Sequence, residues 1–444
     1  MAAEQTLMDK ITALCKRRGF IFPGSEIYGG LAGTWDYGPL GVELKNNIKR
    51  MWWDRFVHGR EDMTGIDSAI IMNSRVWDRS GHVETFSDPL VECKKCHQRF
   101  RADTLFRGEE IKNRSSDSTW ACSNCGEFNG AIVSRQFNLL FRTFVGPVED
   151  TASRTYLRPE TAQGMFVNFK NVADTTRRKL PFGIAQIGKA FRNEITPRDF
   201  VFRSREFEQM EIEYFVREPA WREAFDMWLA EMRRWMTDIG VRTEHVHELE
   251  VPADELAHYS KRTVDFEYDF PFGRKELYGL AYRTDFDLKN HFAEPPYREE
   301  GAEPMYPHVI EPTWGVDRTA LVVLLEAYRE EDNANGTRVV LALPPRLAPY
   351  RAAVFPLLAN KPDLVDRARR VYTALKRIVP TAWDDRGNIG KRYWAQDEIG
   401  TPSCITIDFQ TLEDGTVTVR DRDTAGQERV SADALDNYFT PKIA

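Results

Sequence analysis

The sequence predicts an α+β chain: an antiparallel-sheet domain over most of its length, followed by a small α/β domain. Three observations carry this. Ala190–Ile195 and Phe207–Phe215 read as strands around a turn cluster, Thr196-Pro197-Arg198-Asp199, where proline fixes φ and aspartate bonds its own backbone. Glu330–Arg338 is a polar run of charge and turn formers, so a boundary falls there: residues 1–330, a linker at 331–338 and a second domain at 339–444. Beyond that run, apolar strand-like segments alternate with helical periodicity, the pattern of a mixed sheet with covering helices.

Composition sets the outer bounds. The 444 residues, 42% hydrophobic and 12% aromatic, suffice for two or three domains with a sizeable core. A net charge of −7 does not mark the whole surface as a nucleic-acid binder, so any RNA must be met by local basic surface. Six cysteines without an apolar N-terminal signal point to a reducing, cytoplasmic compartment. No run approaches the roughly 20 apolar residues of a membrane span.

Taken in order, Met8–Arg18 has helical spacing, with Met8, Ile11, Leu14 and Cys15 on one stripe. Phe20–Gly41 is loop-rich, with six glycines and two prolines, and can lie under an active site or a partner. Leu44–Val57 reads as an amphipathic helix: Leu44, Ile48, Met51, Trp52 and Phe56 face a core, and Lys45, Lys49, Arg50 and Arg55 face out. Cys93-Lys94-Lys95-Cys96 and Cys122-Ser123-Asn124-Cys125 are two CxxC knuckles 25 residues apart, within an insertion at about 90–128. Four thiolates at such spacing suit tetrahedral, structural Zn²⁺; two disulfides or four free thiols are the alternatives. Cys15 and Cys404 are isolated and read as packing residues.

The 188–215 stretch is the most informative. Along Phe207–Phe215, Met210, Ile212 and Tyr214 point one way, and Gln209, Glu211 and Glu213 the other. Carboxylates on one strand face, preceded by Arg192, Arg203 and Arg205, need water or a ligand charged at both ends. Guanidinium forks take phosphate oxygens, and carboxylates hold an ammonium. A zwitterion plus a polyphosphate would satisfy both, as would a solvated sheet face laced with salt bridges.

Phe191-Arg192-Asn193-Glu194 and Arg205-Glu206-Phe207 resemble motif 2 of class II aminoacyl-tRNA synthetases. Trp35-Asp36-Tyr37-Gly38-Pro39-Leu40-Gly41, Arg158-Pro159-Glu160-Thr161-Ala162-Gln163-Gly164 and Glu311-Pro312-Thr313-Trp314-Gly315-Val316-Asp317-Arg318 resemble the homodimeric glycyl-tRNA synthetases, in that family's order. The resemblance implies a class II antiparallel-sheet catalytic domain with a zinc-knuckle insertion, and a C-terminal α/β anticodon-binding domain. It implies a glycine–tRNA ligase acting in two steps: glycine and ATP give glycyl-adenylate and pyrophosphate, and the glycyl group passes to the terminal ribose of tRNA(Gly). Mg²⁺ accompanies ATP, Zn²⁺ is structural, and Leu44–Val57 becomes a homodimer-interface helix.

Site residues follow from the same resemblance. Arg192 meets the α-phosphate and the attacking carboxylate, Glu194 the adenine amino group, and Arg203 the distal phosphates. Phe207 and Arg318 sandwich adenine, Glu276 holds ATP and its metal, and Arg192 and Arg318 are the catalytic pair. The ATP set extends to Asn193, Phe202, Ser204, Arg205, Glu206, Leu277, Gly315, Val316 and Asp317. Glu160, Glu211 and Glu311 surround the glycine ammonium, with Arg283 near the substrate carboxylate. Arg101, Phe207, Glu208, Gln209, Met210, Thr313 and Gly315 complete the glycine set. The pocket must exclude a Cβ by crowding, because alanine carries the same charged groups. Three carboxylates together should raise at least one pKa. Thr313 stands where the family commonly has serine, and Trp314 is larger than its usual neighbour. Other readings remain: a ligase for serine, threonine or proline, a synthetase-like accessory subunit, and dinucleotide synthesis from ATP as side chemistry.

In the C-terminal third, Val339–Leu343 and Val354–Leu358 read as strands and Leu364–Ile378 as a helix. Ser403–Phe409 and Thr416–Arg420 read as strands joined by a Glu413-Asp414-Gly415 hairpin turn. Arg386, Lys391, Arg392, Tyr393 and Trp394 form a basic–aromatic cluster that reads equally as an RNA contact or as a turn and helix start.

Overall fold

A computed structural model describes residues 5–102, 121–127, 131–333 and 336–443. The first helix, α1 (Leu7–Arg18), starts at a capping box in which Thr6 and Asp9 satisfy each other's backbone N–H groups, and it buries Ile11, Leu14 and Cys15. The second, α2 (Pro39–Trp53), begins earlier than its apolar period suggests, because Pro39 occupies the first helical turn, where its missing N–H costs nothing. A π-helical turn, Asp54–His58, continues it and carries Phe56 into the core. Leu44, Ile48, Trp52 and Phe56 are buried as expected. Lys45 is not on the outer face: it is buried against Glu208 and Asp317, at 3.0 and 3.1 Å.

The strands follow in chain order: β1 (Met63–Gly65), β2 (Ser87–Cys93), β3 (Arg99–Arg101), β4 (Ala131–Asn138), β5 (Phe182–Phe191), β6 (Glu206–Val216), β7 (Val246–Glu250), β8 (Arg262–Phe270), β9 (Gly273–Thr284) and β10 (His308–Gly315). Between them lie α3 (Ala162–Val167), α4 (Trp221–Asp238) and α5 (Phe286–His291), and α6 (Val316–Ala327) follows β10. The central sheet runs β7-β8-β9-β10-β6-β5-β1, antiparallel except for the β1–β5 pair. The hairpin read around Thr196–Asp199 is its β5–β6 pair, but the first strand runs Phe182–Phe191 and ends before Arg192, so the read strand Ala190–Ile195 lies mostly in the connection, while the second strand extends its reading by one residue at each end. One sheet face packs on α2, α4 and α6, around Trp52, Phe56, Trp228 and Trp314. On the other face, α3, Phe169, Phe182 and Phe215 form a smaller cluster.

The knuckles belong to a three-stranded sheet, β3-β2-β4. Most of the segment between the knuckles lies outside the described residues. The run read as a linker is instead the core of a hairpin: β11 (Tyr328–Asn333) pairs antiparallel with β12 (Gly336–Leu341). The first strand is largely exposed at Arg329, Glu330 and Asp332, while Arg338, Val340 and Leu341 on the second are buried.

The second domain has a mixed sheet of β13 (Ala352–Pro356), β14 (Thr381–Trp383), β15 (Ser403–Ile407), β16 (Thr416–Asp421) and β17 (Gln427–Ser431), in the order β14-β13-β15-β16-β17. β13 is parallel to β14 and β15, and the remaining pairs are antiparallel. Helix α7 (Pro362–Leu375) buries Leu364, Ala368, Val371 and Leu375 over it. Glu413–Gly415 does not form a tight hairpin: a short helix, Phe409–Asp414, sits between β15 and β16, started by the Asp408 cap and stopped by Gly415 at positive φ.

Gly41 illustrates how closely the first helices approach. A Cβ there would lie 1.8 Å from the Phe20 carbonyl oxygen, a backbone atom that cannot swing aside. Gly41→Ala is expected to destabilise the protein by about 2–3 kcal/mol, measured by urea denaturation; an unchanged midpoint would refute the packing argument.

Candidate active site

The site lies on the face of the central sheet opposite the tryptophan cluster. Alternation along β6 assigns the sides: Gln209, Glu211 and Glu213 on the site face, and Met210, Ile212 and Tyr214 in the core. Register brings in the neighbours, with Glu211 paired to Gln186 on β5 and to Thr313 on β10. The same register sets Glu213 opposite Glu311.

At its deep end the face holds five buried acids: Glu160, Glu211, Glu213, Glu311 and Asp287. Arg283, also buried, donates to Asp287 through Nε (2.8 Å) and Nη2 (2.9 Å), and to Glu311 through Nη1 (2.5 Å). The Tyr259 ring lies 3.7 Å from its guanidinium carbon. Gln163 Nε2 donates to Glu160 and to Asp287, both at 3.0 Å, and His82 Nε2 lies 3.3 Å from Glu160. Glu211 accepts from the Thr161 hydroxyl and, at 3.1 Å, from Thr313.

The pKa values separate accordingly. Burial opposes ionisation of Glu160, but His82, Arg283 and Gln163 hold it below the usual carboxylate range. Burial pushes Glu311 up to about 8 against the pull of Arg283, with Glu211 and Glu160 adding to the rise. Burial and Glu160 also raise Glu211. Several buried polar atoms on this face have no hydrogen-bond partner among the described residues: Gln186 Nε2, Gln209 Oε1, Glu194 Oε2 and both Glu213 oxygens. Buried polar atoms without partners are costly in a fold that does not use them.

Towards the mouth the face becomes basic. Arg192 donates to the Pro159 carbonyl at 3.1 Å, and its guanidinium lies over the Phe207 and Phe86 rings. Arg203 is 4.0 Å from Glu194. Burial lowers its pKa, and the charges of Arg101, Arg198 and Arg318 lower it further, so these four cations share one neighbourhood. Arg318 lies over the Phe202 ring and donates to the Glu276 carbonyl at 2.9 Å. Glu276 faces Glu267 across the β8–β9 pair, and nearby Asp265 is pushed up to about 7 by burial and by Glu276 and Glu267.

Several residues expected in the site are placed differently. Arg283 is committed to Asp287 and Glu311, so it is not open to a substrate carboxylate. Glu208 turns to the opposite face, between Lys45 and Lys49. Asp317 is buried, accepting from Tyr37 (2.6 Å), Lys45 (3.1 Å) and the Glu208 N–H (2.7 Å). Met210, Leu277 and Val316 are core residues, and Glu206 pairs outside with Lys189. Arg205 binds the Ala32 and Glu194 carbonyls, at 2.6 and 3.2 Å, fixing the glycine-rich segment. Ser204 is buried, Asn193 is held by its N–H on the Leu139 carbonyl, and Gly315 caps α6. Arg101 pairs with Asp88 at 2.6 Å, on the arginine side. Trp314 points into the core and cannot crowd the pocket, whereas the Thr313 hydroxyl faces it. His82, Thr161, Gln163, Glu213, Asp265 and Asp287 were not among the expected site residues. Of these, Glu213 carried the strand alternation it shares with Glu211, and Thr161 and Gln163 stand in the Arg158–Gly164 block, whereas His82, Asp265 and Asp287 carried no signal.

The knuckles converge. The four cysteine sulfurs lie within 4.8 Å of one another, and Cys93–Cys125 and Cys96–Cys122 are 3.7 and 3.6 Å apart. Zn–S bonds of about 2.3 Å in a tetrahedron place sulfurs about 3.8 Å apart. None of the six cysteines is disulfide-bonded.

Comparison with known proteins agrees with this geometry. Residues 145–328 match the tRNA synthetase class II core domain (G, H, P, S and T), and residues 351–441 an anticodon binding domain. Fold and site thus define a class II aminoacyl-tRNA synthetase. Over its full length the chain is 50% identical to the glycine–tRNA ligase of Thermobifida fusca (strain YX), covering 100% of both chains. It is 51% identical to that of Clostridium perfringens (strain 13 / Type A), over 97% of each. The chain belongs to the glycine–tRNA ligase family.

Arg283→Met would leave Asp287 and Glu311 buried without their counter-charge. We expect a loss of about 3–5 kcal/mol by chemical denaturation; a loss under about 1 kcal/mol would show that the pocket does not depend on this pair.

Proposed function

We propose that the protein is a glycine–tRNA ligase: it activates glycine with ATP and transfers the glycyl group to the terminal ribose of tRNA(Gly). The observation that carries this reading is the division of one sheet face into a buried carboxylate pocket and an arginine-lined mouth, in a chain half identical end to end to glycine–tRNA ligases.

The substrate carboxylate is already a nucleophile at neutral pH, so the first step needs no general base. It needs in-line positioning and stabilisation of charge on phosphorus. Arg192 is suited to the reacting centre, Arg203 to the distal phosphates, and Arg318 with Phe207 to the adenine faces. Glu194 Oε2, which accepts no hydrogen bond among the described residues, suits the adenine amino group, which can donate to it. Glu160, Glu211 and Glu311 receive the ammonium. Arg283 orients Glu311 rather than meeting the substrate carboxylate.

Glu276, with Asp265 and Glu267 near it, offers the oxygen donors that Mg²⁺ takes. Mg²⁺ there would neutralise phosphate charge in the displacement. The four thiols fit a closed structural Zn²⁺ site with no position for a reacting water, so zinc would brace the insertion and take no part in chemistry.

Residues 351–441 would dock the anticodon stem and read unpaired bases by stacking and edge hydrogen bonds. In the basic–aromatic cluster, Arg392 is buried and bonds four backbone carbonyls, which supports the turn-and-helix reading; Arg386 and Lys391 are exposed. A homodimer is supported by the exposed Ile27, Tyr28 and Leu31 of the glycine-rich segment, an apolar patch suited to a second copy. Among the described residues no helix is long and apolar enough to cross a membrane. We assign the protein to the cytoplasm, where its substrates are.

ATP–pyrophosphate exchange without tRNA tests the reading. Exchange with glycine, and none with alanine or serine, is the expected result; exchange with serine or with no amino acid would refute it. The same assay has a defined pH dependence. An acid raised to about 8 is largely protonated below that pH, and only its carboxylate pairs with an ammonium, so KM for glycine should fall as pH rises from 6 to 8 and then level. The slope is at most about tenfold per pH unit. A flat profile would remove Glu311 from the ammonium site.

A further inference from the structure

Glu213 is the pocket acid that the proposed contacts leave without a role. It is 0% exposed, and neither oxygen has a hydrogen-bond partner among the described residues. An oxygen of Glu213 lies within 4.8 Å of one from Glu211 and one from Glu311. The charged groups facing it are Glu211 on its own strand, Glu311 on β10, Arg283 on β9 and Asp287 on α5. Of these only Arg283 is positive, and each of its three nitrogens already donates to Asp287 or Glu311. Once Glu311 is ionised to meet the ammonium, a second anion beside it in this dry setting would be repelled by it and solvated by nothing. A proton resolves the conflict, because a protonated carboxyl becomes a hydrogen-bond donor. Burial and the Glu311 charge both push Glu213 well above the usual carboxylate range.

We propose that Glu213 is a positioning residue, held as the neutral acid, whose O–H donates to Glu311 and thereby aims the other face of that carboxylate at the substrate ammonium. This rests on the glycine-pocket reading above. Glu311 would then be held from two sides, by Arg283 and by Glu213, and its remaining lone pairs would have one direction left. The proton is not transferred; it stays on Glu213 through the reaction.

The test is the KM for glycine, in pyrophosphate exchange, of the parent, Glu213→Ala and Glu213→Gln. No exchange by the parent would sink the pocket reading itself, separately from this proposal. With an active parent, Glu213→Ala should raise KM for glycine at least about tenfold, the scale of a lost hydrogen bond to a charged group, with KM for ATP unmoved. Glu213→Gln, whose amide also donates, should bring it back to within about threefold of the parent. Glutamine as damaging as alanine would mean the anion is what matters, and alanine at the parental KM would mean no role; either overturns the proposal. Should Glu213→Ala not fold, infrared spectra of the parent and Glu213→Gln decide. Above about pH 9, where Glu311 and Asp265 are ionised, a protonated-carboxyl C=O band that disappears in Glu213→Gln is expected, and its absence from the parent overturns the proposal.

Discussion

The ion pair of Arg283 with Asp287 and Glu311 is the interaction on which the rest of the site depends. It ties β9, β10 and α5 together at one point. Among the described residues it is also the only guanidinium bonded to the five acids buried at the deep end of the face. Buried charges persist only when paired and hydrogen-bonded, and here all three nitrogens of the guanidinium donate to a carboxylate. The Tyr259 ring covers the assembly, so the pair stays out of water and keeps its strength. With one cation among several acids, the pocket keeps a deficit of positive charge, and a small ammonium is the ligand that offsets it. A methyl-bearing competitor brings the same charge, so discrimination falls to the walls: the backbone of β6 and β10 and the Thr313 side chain.

The central sheet lets two incompatible environments sit less than one strand thickness apart. Thr313 and Trp314 are neighbours in sequence, yet one bonds Glu211 while the other packs against Phe56, Trp52 and Trp228. The pleat alone does this. It also makes the site rigid, because Glu211, Glu213 and Glu311 are carried by strands whose other side is locked in close-packed aromatic core.

A second set of buried charges joins the two domains. Asp397, fully buried, accepts from Arg338 on the hairpin and from Arg420 on β16, at 2.8 and 2.9 Å. Arg18 Nε reaches Glu398 at 2.6 Å from the first helix, and Asn47 on α2 donates to the Leu347 and Ala348 carbonyls. The segment between the domains is therefore a bonded ribbon rather than a loose tether.

The sequence by itself determined what is local: the capped first helix, the apolar stripe of the second, the alternation of β6 and the paired knuckles. Short-range rules govern each of these, so each was legible, as were the carboxylates and arginines in the ordered blocks. What only the tertiary structure decided was who meets whom. Lys45 looked like a solvent-facing lysine because helical periodicity knows nothing of Glu208 and Asp317 across the core. Arg283 looked open to substrate until Asp287, four residues on, turned out to share its buried pocket. His82 and Asp287 gave no local signal, since their function exists only where short helices close over the sheet. The 330–338 run formed a hairpin because its polar side chains leave the backbone N–H and C=O groups free to pair, and composition does not record that pairing.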